Sequence, residues 1–128
     1  MRVGILSDTH NLLRPEVMER LAGCERILHA GDVGDLAILE KLRQIAPVTA
    51  VRGNTDAGAT AAALPESLAG ELGGFAFRMV HRREDADPAW LPGLRLLVYG
   101  HTHRPELAWH GSCLLLNPGQ RVALLLQF

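Results

Sequence analysis

The sequence predicts an α/β domain with a parallel sheet in its first half. Three short apolar segments, residues 2–7, 25–29 and 48–52, have the composition of buried strands, and two helical patterns separate them. This alternation of strands and helices is typical of parallel strand pairing. A polar residue of metal-binding type follows each strand, and ligands collect at the carboxyl ends of strands in such sheets. The same pattern therefore predicts both the fold class and the position of a site.

The first helix is predicted to begin at Pro15, because proline suits the first position of a helix. Val17, Met18 and Leu21 then recur at helical spacing on one face. Gly23 is expected to end this helix.

The second helix is predicted between Asp35 and Pro47. Asp35 is of the residue type that caps a helix amino terminus, and Pro47 cannot continue a helix. Leu39, Leu42 and Ile45 lie between them at helical spacing, which predicts a buried apolar face.

The second half of the sequence predicts strands and turns. Residues 67–72 and 75–80 flank Gly73-Gly74, which is a hairpin signal. Four further strands are expected at residues 94–99, 106–110, 113–116 and 122–128. The Ala-rich residues 57–66 are predicted to form a loop, and no helix is expected after residue 46. Pro88 and Pro92 exclude a long helix at residues 84–93.

Length and charge limit the class of protein. The 128 residues predict one domain, residues 1–128, and the net charge of −1 predicts no nonspecific binding to nucleic acid. No apolar segment approaches the roughly 20 residues that cross a membrane. Cys24 and Cys113 are distant in sequence and are predicted to be buried free thiols, which favours a cytoplasmic location.

Seven side chains of metal-binding type stand where strand patterns end in loops. They are Asp8, His10, Asp32, Asn54, His81, His101 and His103. One ion does not need this many oxygen and imidazole ligands. The set instead suits two divalent ions that share a carboxylate, an arrangement that hydrolyses phosphate esters through a water activated between the ions. These seven residues are therefore our candidate metal ligands and candidate catalytic residues.

The order of these motifs resembles that of the calcineurin-like metallophosphoesterases, and in particular their small bacterial and archaeal phosphodiesterases. The resemblance covers nearly the whole chain, from Asp8-Thr9-His10 to Asn117-Pro118-Gly119, with Gly31-Asp32, Gly53-Asn54, His81 and Gly100-His101-Thr102-His103 between them. It implies a four-layer α-β-β-α sandwich, here trimmed. It also implies a small phosphodiester as substrate and, among Mn²⁺, Ni²⁺, Co²⁺, Zn²⁺ and Fe, favours Mn²⁺.

The resemblance also implies how the ligands divide between the ions. The first ion would be held by Asp8, His10, Asp32 and His103. The second would be held by Asp32, Asn54, His81 and His101, so that Asp32 bridges the two.

The chain departs from the family pattern in three places. Relatives often have His-Gly-His where this chain has His81-Arg82-Arg83, and these arginines either bind phosphate or are solvated. Many relatives have a histidine at the position of Thr55, where it can protonate a leaving group. The connection from His81 to the next strand is short and the tail after Gln120 is trimmed, so we expect an open crevice.

Other polar residues have simpler interpretations. His29 is expected to be a hydrogen-bonded core residue and His110 to be exposed. Asp56 either orients a ligand or caps the following loop. Arg104 is a candidate phosphate contact beside His103.

Two alternatives to a phosphodiesterase stay open at this point. One is a protein-binding scaffold of the same fold, as in the retromer coat, and the other is a phosphomonoesterase or nucleotidase. All seven candidate ligands are of competent types, which favours an enzyme over a scaffold. The oligomeric state is left open, with a homodimer as one possibility, because the trimmed segments are those from which relatives could build subunit contacts.

Overall fold

The computed structural model of the protein describes residues 1–125, so the end of the predicted strand 122–128 lies outside the described residues. The strands are β1 Val3–Leu6, β2 Arg26–His29, β3 Val48–Ala50, β4 Ser67–Leu72, β5 Phe75–Val80, β6 Leu96–Val98, β7 Glu106–His110, β8 Cys113–Asn117 and β9 Ala123–Leu125. The helices are α1 Pro15–Leu21, α2 Ala37–Arg43 and α3 Gly58–Ala63, with two 3-10 helices at Arg83–Asp85 and Pro88–Gly93.

The strands form two sheets. The four-stranded sheet has the order β3-β2-β1-β9, with β1, β2 and β3 parallel and β9 antiparallel to β1. The parallel pairing predicted for the first half is thus confirmed. The five-stranded sheet has the order β4-β5-β6-β8-β7, with parallel pairing along β5-β6-β8 and an antiparallel strand at each side.

The two sheets pack face to face around an aliphatic core. Val3, Ile5 and Leu28 of the four-stranded sheet belong to one buried cluster with Phe77 and Met79 of the five-stranded sheet. Each large aliphatic side chain removed from water contributes about 1.5–3 kcal/mol, so this interface is a major source of stability. It also fixes the two sets of strand ends relative to each other.

Helical segments cover the outer faces and complete four layers. Leu21 of α1 and Leu39 and Leu42 of α2 are fully buried against the four-stranded sheet, as their helical spacing predicts. The outer face of the five-stranded sheet is covered by Trp90 and Leu91 of the second 3-10 helix. The sequence excluded a long helix at residues 84–93, and none occurs there. Two short 3-10 helices form this layer instead.

The loop predicted at residues 57–66 is wrong, and so is the prediction that no helix follows residue 46. Helix α3 spans Gly58–Ala63. Alanine has the highest helix propensity, whereas Gly58 and Pro65 lie at or beyond the ends of the helix and do not interrupt it. Thr60 fixes α3 to the parallel half, because its hydroxyl donates to the Gly34 carbonyl at 2.7 Å.

The remaining local predictions agree with the structure to within a few residues. The Asp35 carboxylate accepts the Ala37 amide at 2.8 Å, so Asp35 acts at the amino terminus of α2 as predicted. Within residues 1–125, no helix is both long and apolar enough to cross a membrane.

Candidate metal centre

All seven candidate ligands lie in loops at one edge of the sandwich. Asp8 and His10 follow β1, Asp32 follows β2, and Asn54 follows β3. The others come from the five-stranded sheet, with His81 directly after β5 and with His101 and His103 after β6. Because these five strands are parallel within their sheets, their carboxyl ends bring the loops together, as the sequence predicts.

The backbone of these loops is strained in a way that the rest of the chain is not. Within residues 1–125, six non-glycine residues have positive φ, namely Asp8, His10, Asn11, Asp32, His101 and His103. Five of the six are candidate ligands. Left-handed backbone at non-glycine residues costs free energy and is concentrated at functional sites, where the surroundings hold it in place.

Two glycines allow the loops to approach each other closely. A Cβ on Gly53 would collide with the carboxylate and backbone of Asp32. A Cβ on Gly100 would collide with the Ser7 hydroxyl and would lie 2.7 Å from Asp8 Oδ2. Both motif glycines are therefore required by the space that the carboxylates occupy.

The first ligand group consists of Asp8, His10 and His103, whose ligand atoms all lie within 4.8 Å of one another. Asp8 Oδ1 lies 3.8 Å from His10 Nε2 and 3.5 Å from His103 Nε2. The two imidazole Nε2 atoms are 3.4 Å apart. Two nitrogens and one oxygen thus converge on one point.

The second ligand group consists of Asp32, His81 and His101, whose ligand atoms also lie within 4.8 Å of one another. Asp32 Oδ2 lies 3.2 Å from His81 Nε2. Asn54 stands beside this group, with its Oδ1 3.1 Å from His101 Nδ1. Oxygen and imidazole donors therefore converge at a second point.

The two buried carboxylates lie between the two groups. Asp32 Oδ2 is 3.7 Å from His10 Nε2 of the first group as well as being close to His81. Asp8 Oδ1 is 3.8 Å from His81 Nε2 of the second group. The groups are thus adjacent, and the Asp32 carboxylate faces both.

In each of the two carboxylates, one oxygen accepts hydrogen bonds from neighbouring residues and the other faces the candidate ligands. Asp8 Oδ2 accepts the Ser7 hydroxyl at 2.7 Å and the His101 amide at 3.1 Å. Asp32 Oδ1 accepts the Thr55 amide at 2.9 Å. Burial raises the pKa of Asp32, but the Thr55 hydrogen bonds and nearby histidines outweigh it, so the pKa lies below its ordinary value.

Two buried atoms in the centre have no hydrogen-bond partner. Within residues 1–125, Asp8 Oδ1 and His81 Nε2 are the buried side-chain polar atoms left without one. The other ring nitrogen of His81 donates to the Ala30 carbonyl at 2.7 Å, which leaves a lone pair on Nε2. An unpartnered buried polar atom is costly, and a cation would satisfy both of these. The residues present therefore fit divalent metal ions.

Asp56 connects the loops that carry Asp32 and Asn54. Its carboxylate accepts the amides of Gly53 at 2.9 Å, Gly34 at 3.0 Å and Val33 at 3.2 Å. Of the two interpretations of Asp56 from sequence, the structure favours the orientation of ligand loops.

His29 is a fully buried core histidine, as predicted from its position within a strand. Its Nδ1 accepts the Gly31 amide at 3.1 Å, and its Nε2 lies 3.1 Å from the Thr9 hydroxyl. Burial is the main reason that its pKa falls to about 4. His29 is therefore neutral and holds two site loops in place.

Sequence reasoning missed two polar side chains that support the ligands. Ser7 orients Asp8, and the Gln120 side-chain amide lies 3.0 Å from His103 Nδ1. Asn117 was interpreted only as part of a turn, but its side chain also donates to the Gly100 carbonyl at 3.1 Å. The signal available in the sequence was their adjacency to motif residues.

Arginines line two clefts beside the centre. A cleft of about 470 Å³ is lined by Asn54 and His81 together with Arg52 and Arg82. Arg83 points elsewhere, because its guanidinium pairs with Glu106 at 2.8 Å. Arg82 is thus the member of the Arg82-Arg83 pair that adjoins the site.

The second cleft adjoins the first ligand group. It has a volume of about 490 Å³ and is lined by Asp8 and His10 together with Arg14 and Arg121. Arg104 lines neither of these clefts, so its predicted phosphate contact gains no support from them.

The chain belongs to the calcineurin-like phosphoesterase superfamily, whose domain model matches residues 1–125. It is 36% identical over 132 residues to a probable metallophosphoesterase of Methanothermobacter thermautotrophicus, covering 93% of this chain and 76% of that protein. It is 33% identical to a probable metallophosphoesterase of Methanocaldococcus jannaschii, covering 93% of this chain and 67% of that protein. The predicted family is therefore confirmed.

Solved structures confirm the predicted fold. An archaeal phosphodiesterase superposes with a TM-score of 0.78 at 24% identity, covering 94% of this chain and 84% of that one. Vps29 from Entamoeba histolytica, complexed with Zn²⁺, superposes with a TM-score of 0.75 at 26% identity, covering 94% of this chain and 74% of that one. Family membership implies divalent metal ions, and the two ligand groups are where this chain would hold them.

Proposed function

We propose that this calcineurin-like phosphoesterase is a two-metal phosphodiesterase that hydrolyses a small phosphodiester. The observation that carries the proposal is the convergence of two ligand groups on Asp32, next to two buried atoms without partners. A structural ion pair or a hydrogen-bonded network would satisfy those atoms within the protein.

In this proposal the ligands divide as the family resemblance implies. The first ion is held by Asp8, His10, Asp32 and His103, and the second by Asp32, Asn54, His81 and His101. When bound, the ions supply Lewis acidity and an activated water for in-line displacement at phosphorus. Carboxylate, amide and imidazole donors without a thiolate suit Mn²⁺, Ni²⁺, Co²⁺, Zn²⁺ and Fe alike, and the family resemblance favours Mn²⁺ among them.

The charges of the ligand set favour an anionic substrate. Asp8 and Asp32 supply two negative charges, whereas two divalent ions carry four positive charges, and Asn54 adds no charge. The loaded centre is therefore positive and attracts a phosphoester. Arg82 lines the adjoining cleft with His81, where its guanidinium can bind a phosphoryl oxygen.

The proposed reaction lacks one protein group, since Thr55 occupies the position where many relatives have a histidine. A threonine hydroxyl is a poor acid, so the leaving oxygen departs as an anion or takes a proton from water. We therefore expect a diester with a good leaving group to be the best substrate.

A metal-by-substrate screen tests the function. The purified protein is stripped with chelator, reconstituted with Mn²⁺, Ni²⁺, Co²⁺ or Zn²⁺, and assayed on aryl phosphodiesters and aryl phosphomonoesters. We expect two ions per chain and turnover of the diester with Mn²⁺. Bound metal with turnover of monoesters alone would instead assign a phosphomonoesterase. No metal uptake and no turnover would favour a protein-binding scaffold.

The rate across a series of diesters tests the missing acid. General-acid help is typically worth about 10²–10⁴-fold, mainly for poor leaving groups. We expect log rate to fall steeply with leaving-group pKa in the unmodified protein and less steeply in Thr55→His. Thr55→Ser is the matched control, since it keeps a hydroxyl and should keep the steep slope. A shallow slope in the unmodified protein would mean that another residue donates the proton.

A further inference from the structure

Two large apolar side chains of β7 are exposed on a face that is buried in the rest of the sheet. Leu107 lies opposite Leu116 of β8, and Trp109 lies opposite Leu114. Directly opposed residues of an antiparallel pair project from the same face. Leu116 is part of the core between the sheets and Leu114 packs against it, yet Leu107 is 70% and Trp109 67% exposed. The two side chains therefore lie on the inner face and are nevertheless exposed.

The unequal size of the two sheets explains this exposure. The five-stranded sheet ends at β7, whereas the four-stranded sheet ends at β9 among residues 1–125. A pocket of about 300 Å³ lies at this end, lined by Leu107, Leu116, Val122 and Ala123. The inner face of β7 thus projects beyond the strands that cover its neighbours.

The backbone of β7 is also unpaired along one side, since within the described chain β7 pairs with β8 alone. The turn Gly111-Ser112 joins His110 to Cys113, so the His110–Cys113 pair closes the hairpin with a turn hydrogen bond. Hydrogen-bonded and non-hydrogen-bonded pairs then alternate along the ladder. The N–H and C=O groups of Leu107 and Trp109 consequently point to the free edge.

The sequence of β7 is complementary to itself about Ala108. If a second β7 pairs antiparallel with a two-fold axis at Ala108, Leu107 faces the partner's Trp109. Glu106 then faces the partner's His110 on the other side of the sheet. The free backbone groups of Leu107 and Trp109 are used in this register, because each Leu–Trp pair exchanges two hydrogen bonds. Apolar pairs and backbone groups thus match in one register.

We propose that β7 is a homodimerisation strand, which joins two copies of this chain edge to edge through a two-fold axis at Ala108. Joining two five-stranded sheets in this way gives one continuous ten-stranded sheet. It covers an edge that would otherwise be open to uncontrolled strand addition, which folded proteins avoid. The proposal does not depend on the phosphodiesterase function.

The interface is small, which sets its expected strength. A standard interface buries about 800 Å² on each partner, and one strand with two large apolar side chains supplies less than this. We therefore expect a dimer that dissociates on dilution.

Site-specific disulfide cross-linking tests the register. In the proposed dimer the two Ala108 residues form a non-hydrogen-bonded pair with Cα atoms about 4.5 Å apart, within disulfide range. Two Leu107 residues would be offset by about 7 Å along the strands, in addition to the roughly 4.8 Å between strands, which is outside that range. With oxidised glutathione, Ala108→Cys should form a covalent dimer. Leu107→Cys and the unmodified protein, whose Cys24 and Cys113 are buried, should not.

Sedimentation across a range of protein concentrations gives an independent measurement. The unmodified protein should shift from monomer to dimer, and Trp109→Lys should weaken self-association by roughly tenfold or more, because a lysine on an edge strand opposes pairing. Leu12→Lys is the matched control, since Leu12 is also 54% exposed but lies outside β7. A protein that stays monomeric at millimolar concentration, or equal cross-linking of Ala108→Cys and Leu107→Cys, would overturn the proposal. Either result would leave β7 to a different partner.

Discussion

The two ligand groups differ in how firmly the protein holds them. The His10 and His103 side chains of the first group are 40% and 39% exposed, whereas the His81 side chain of the second group is 5% exposed. His81 donates to the Ala30 carbonyl at 2.7 Å from within the fold, while His103 is supported by Gln120 at the surface. The same chemical ligand types thus stand in a buried setting and in an open one.

This difference indicates distinct roles for the two proposed ions. Ligands fixed by buried hydrogen bonds lose little freedom when an ion binds, so the second ion should be held more tightly. The exposed histidines of the first group must be ordered by the ion itself, so the first ion should exchange more readily. In this proposal Asp32 is the residue that would couple the two sites.

Substitution of Asp32 should have the largest effect, because it removes the ligand that we propose to be common to both ions. We expect Asp32→Ala to weaken both ions and to reduce turnover by more than the roughly 10²–10³-fold cost of losing one stabilising donor. The measurement is metal content after dialysis, together with kcat/KM on an aryl diester. Asp35→Ala, which changes an exposed carboxylate three residues away, is the control and should retain both ions. Two ions and near-normal turnover in Asp32→Ala would contradict the bridging assignment.

The comparison between His81→Ala and His103→Ala separates the two groups directly. His81→Ala should weaken mainly the second ion and His103→Ala mainly the first. Since we expect the second ion to be the tighter of the two, His81→Ala should raise the higher-affinity dissociation constant and His103→Ala the lower-affinity one. Titration calorimetry of the metal-free proteins with Mn²⁺ resolves the two steps. If both variants changed the same step, the division of the ligands would need to be redrawn.

The sequence predicted that the seven candidate ligands lie together because each follows a strand, and strand ends are recognisable from apolar patterns. It predicted the support behind the ligands only in part. The orienting role of Asp56 was one of two interpretations, because its contacts with Val33 and Gly34 lie 22 to 23 positions away in sequence. Gln120 lies 17 positions from His103, and no local pattern encodes such a contact. Their roles depend on how loops from different strands meet.

The sequence also did not predict which strands lie at the sheet edges. The pattern of residues 106–110 predicts a strand, and β7 has those bounds. Nothing in the pattern says that β7 lies at an edge or that Leu107 and Trp109 face an incomplete neighbouring sheet. Helix α3 was missed for a different reason, since Gly58 and Pro65 were interpreted as interrupting a segment that they flank.

Substitution of Asp56 should make the second ligand group less rigid and so reduce the expected difference in metal affinity between the two groups. Asp56→Ala removes the acceptor for three backbone amides in the Asp32 and Asn54 loops. Loss of such a supporting contact typically costs 10–100-fold in metal affinity, and we expect this cost mainly at the second ion. The metal-free protein should also lose about 1–3 kcal/mol of stability because buried amides are left unpaired. Calorimetry and urea unfolding measure the two effects, and an unchanged second dissociation constant would mean that the loops are held by other contacts.

The smallest expected effect on the metal centre concerns His29. This residue is hydrogen-bonded to the loops of Thr9 and Gly31 and belongs to neither ligand group. Its pKa is about 4 in the folded protein, mainly because of burial, against about 6.5 when unfolded. Between about pH 4 and pH 6.5, His29 is protonated in the unfolded state but neutral in the folded state. The contribution of neutral His29 to the free energy of unfolding is therefore complete above about pH 6.5 and is lost as the pH falls towards 4. The pKa difference corresponds to at most roughly 3 kcal/mol.

His29→Asn, which keeps an acceptor for the Gly31 amide but does not titrate, should be less stable at pH 8 and should lose less stability on acidification. The free energy of unfolding in urea, measured in chelator from pH 8 to pH 4.5, gives both curves. The exposed His110→Asn is the control and should follow the unmodified protein at a concentration where the chain is monomeric. Parallel curves for His29→Asn and the unmodified protein would show that the acid sensitivity does not come from His29.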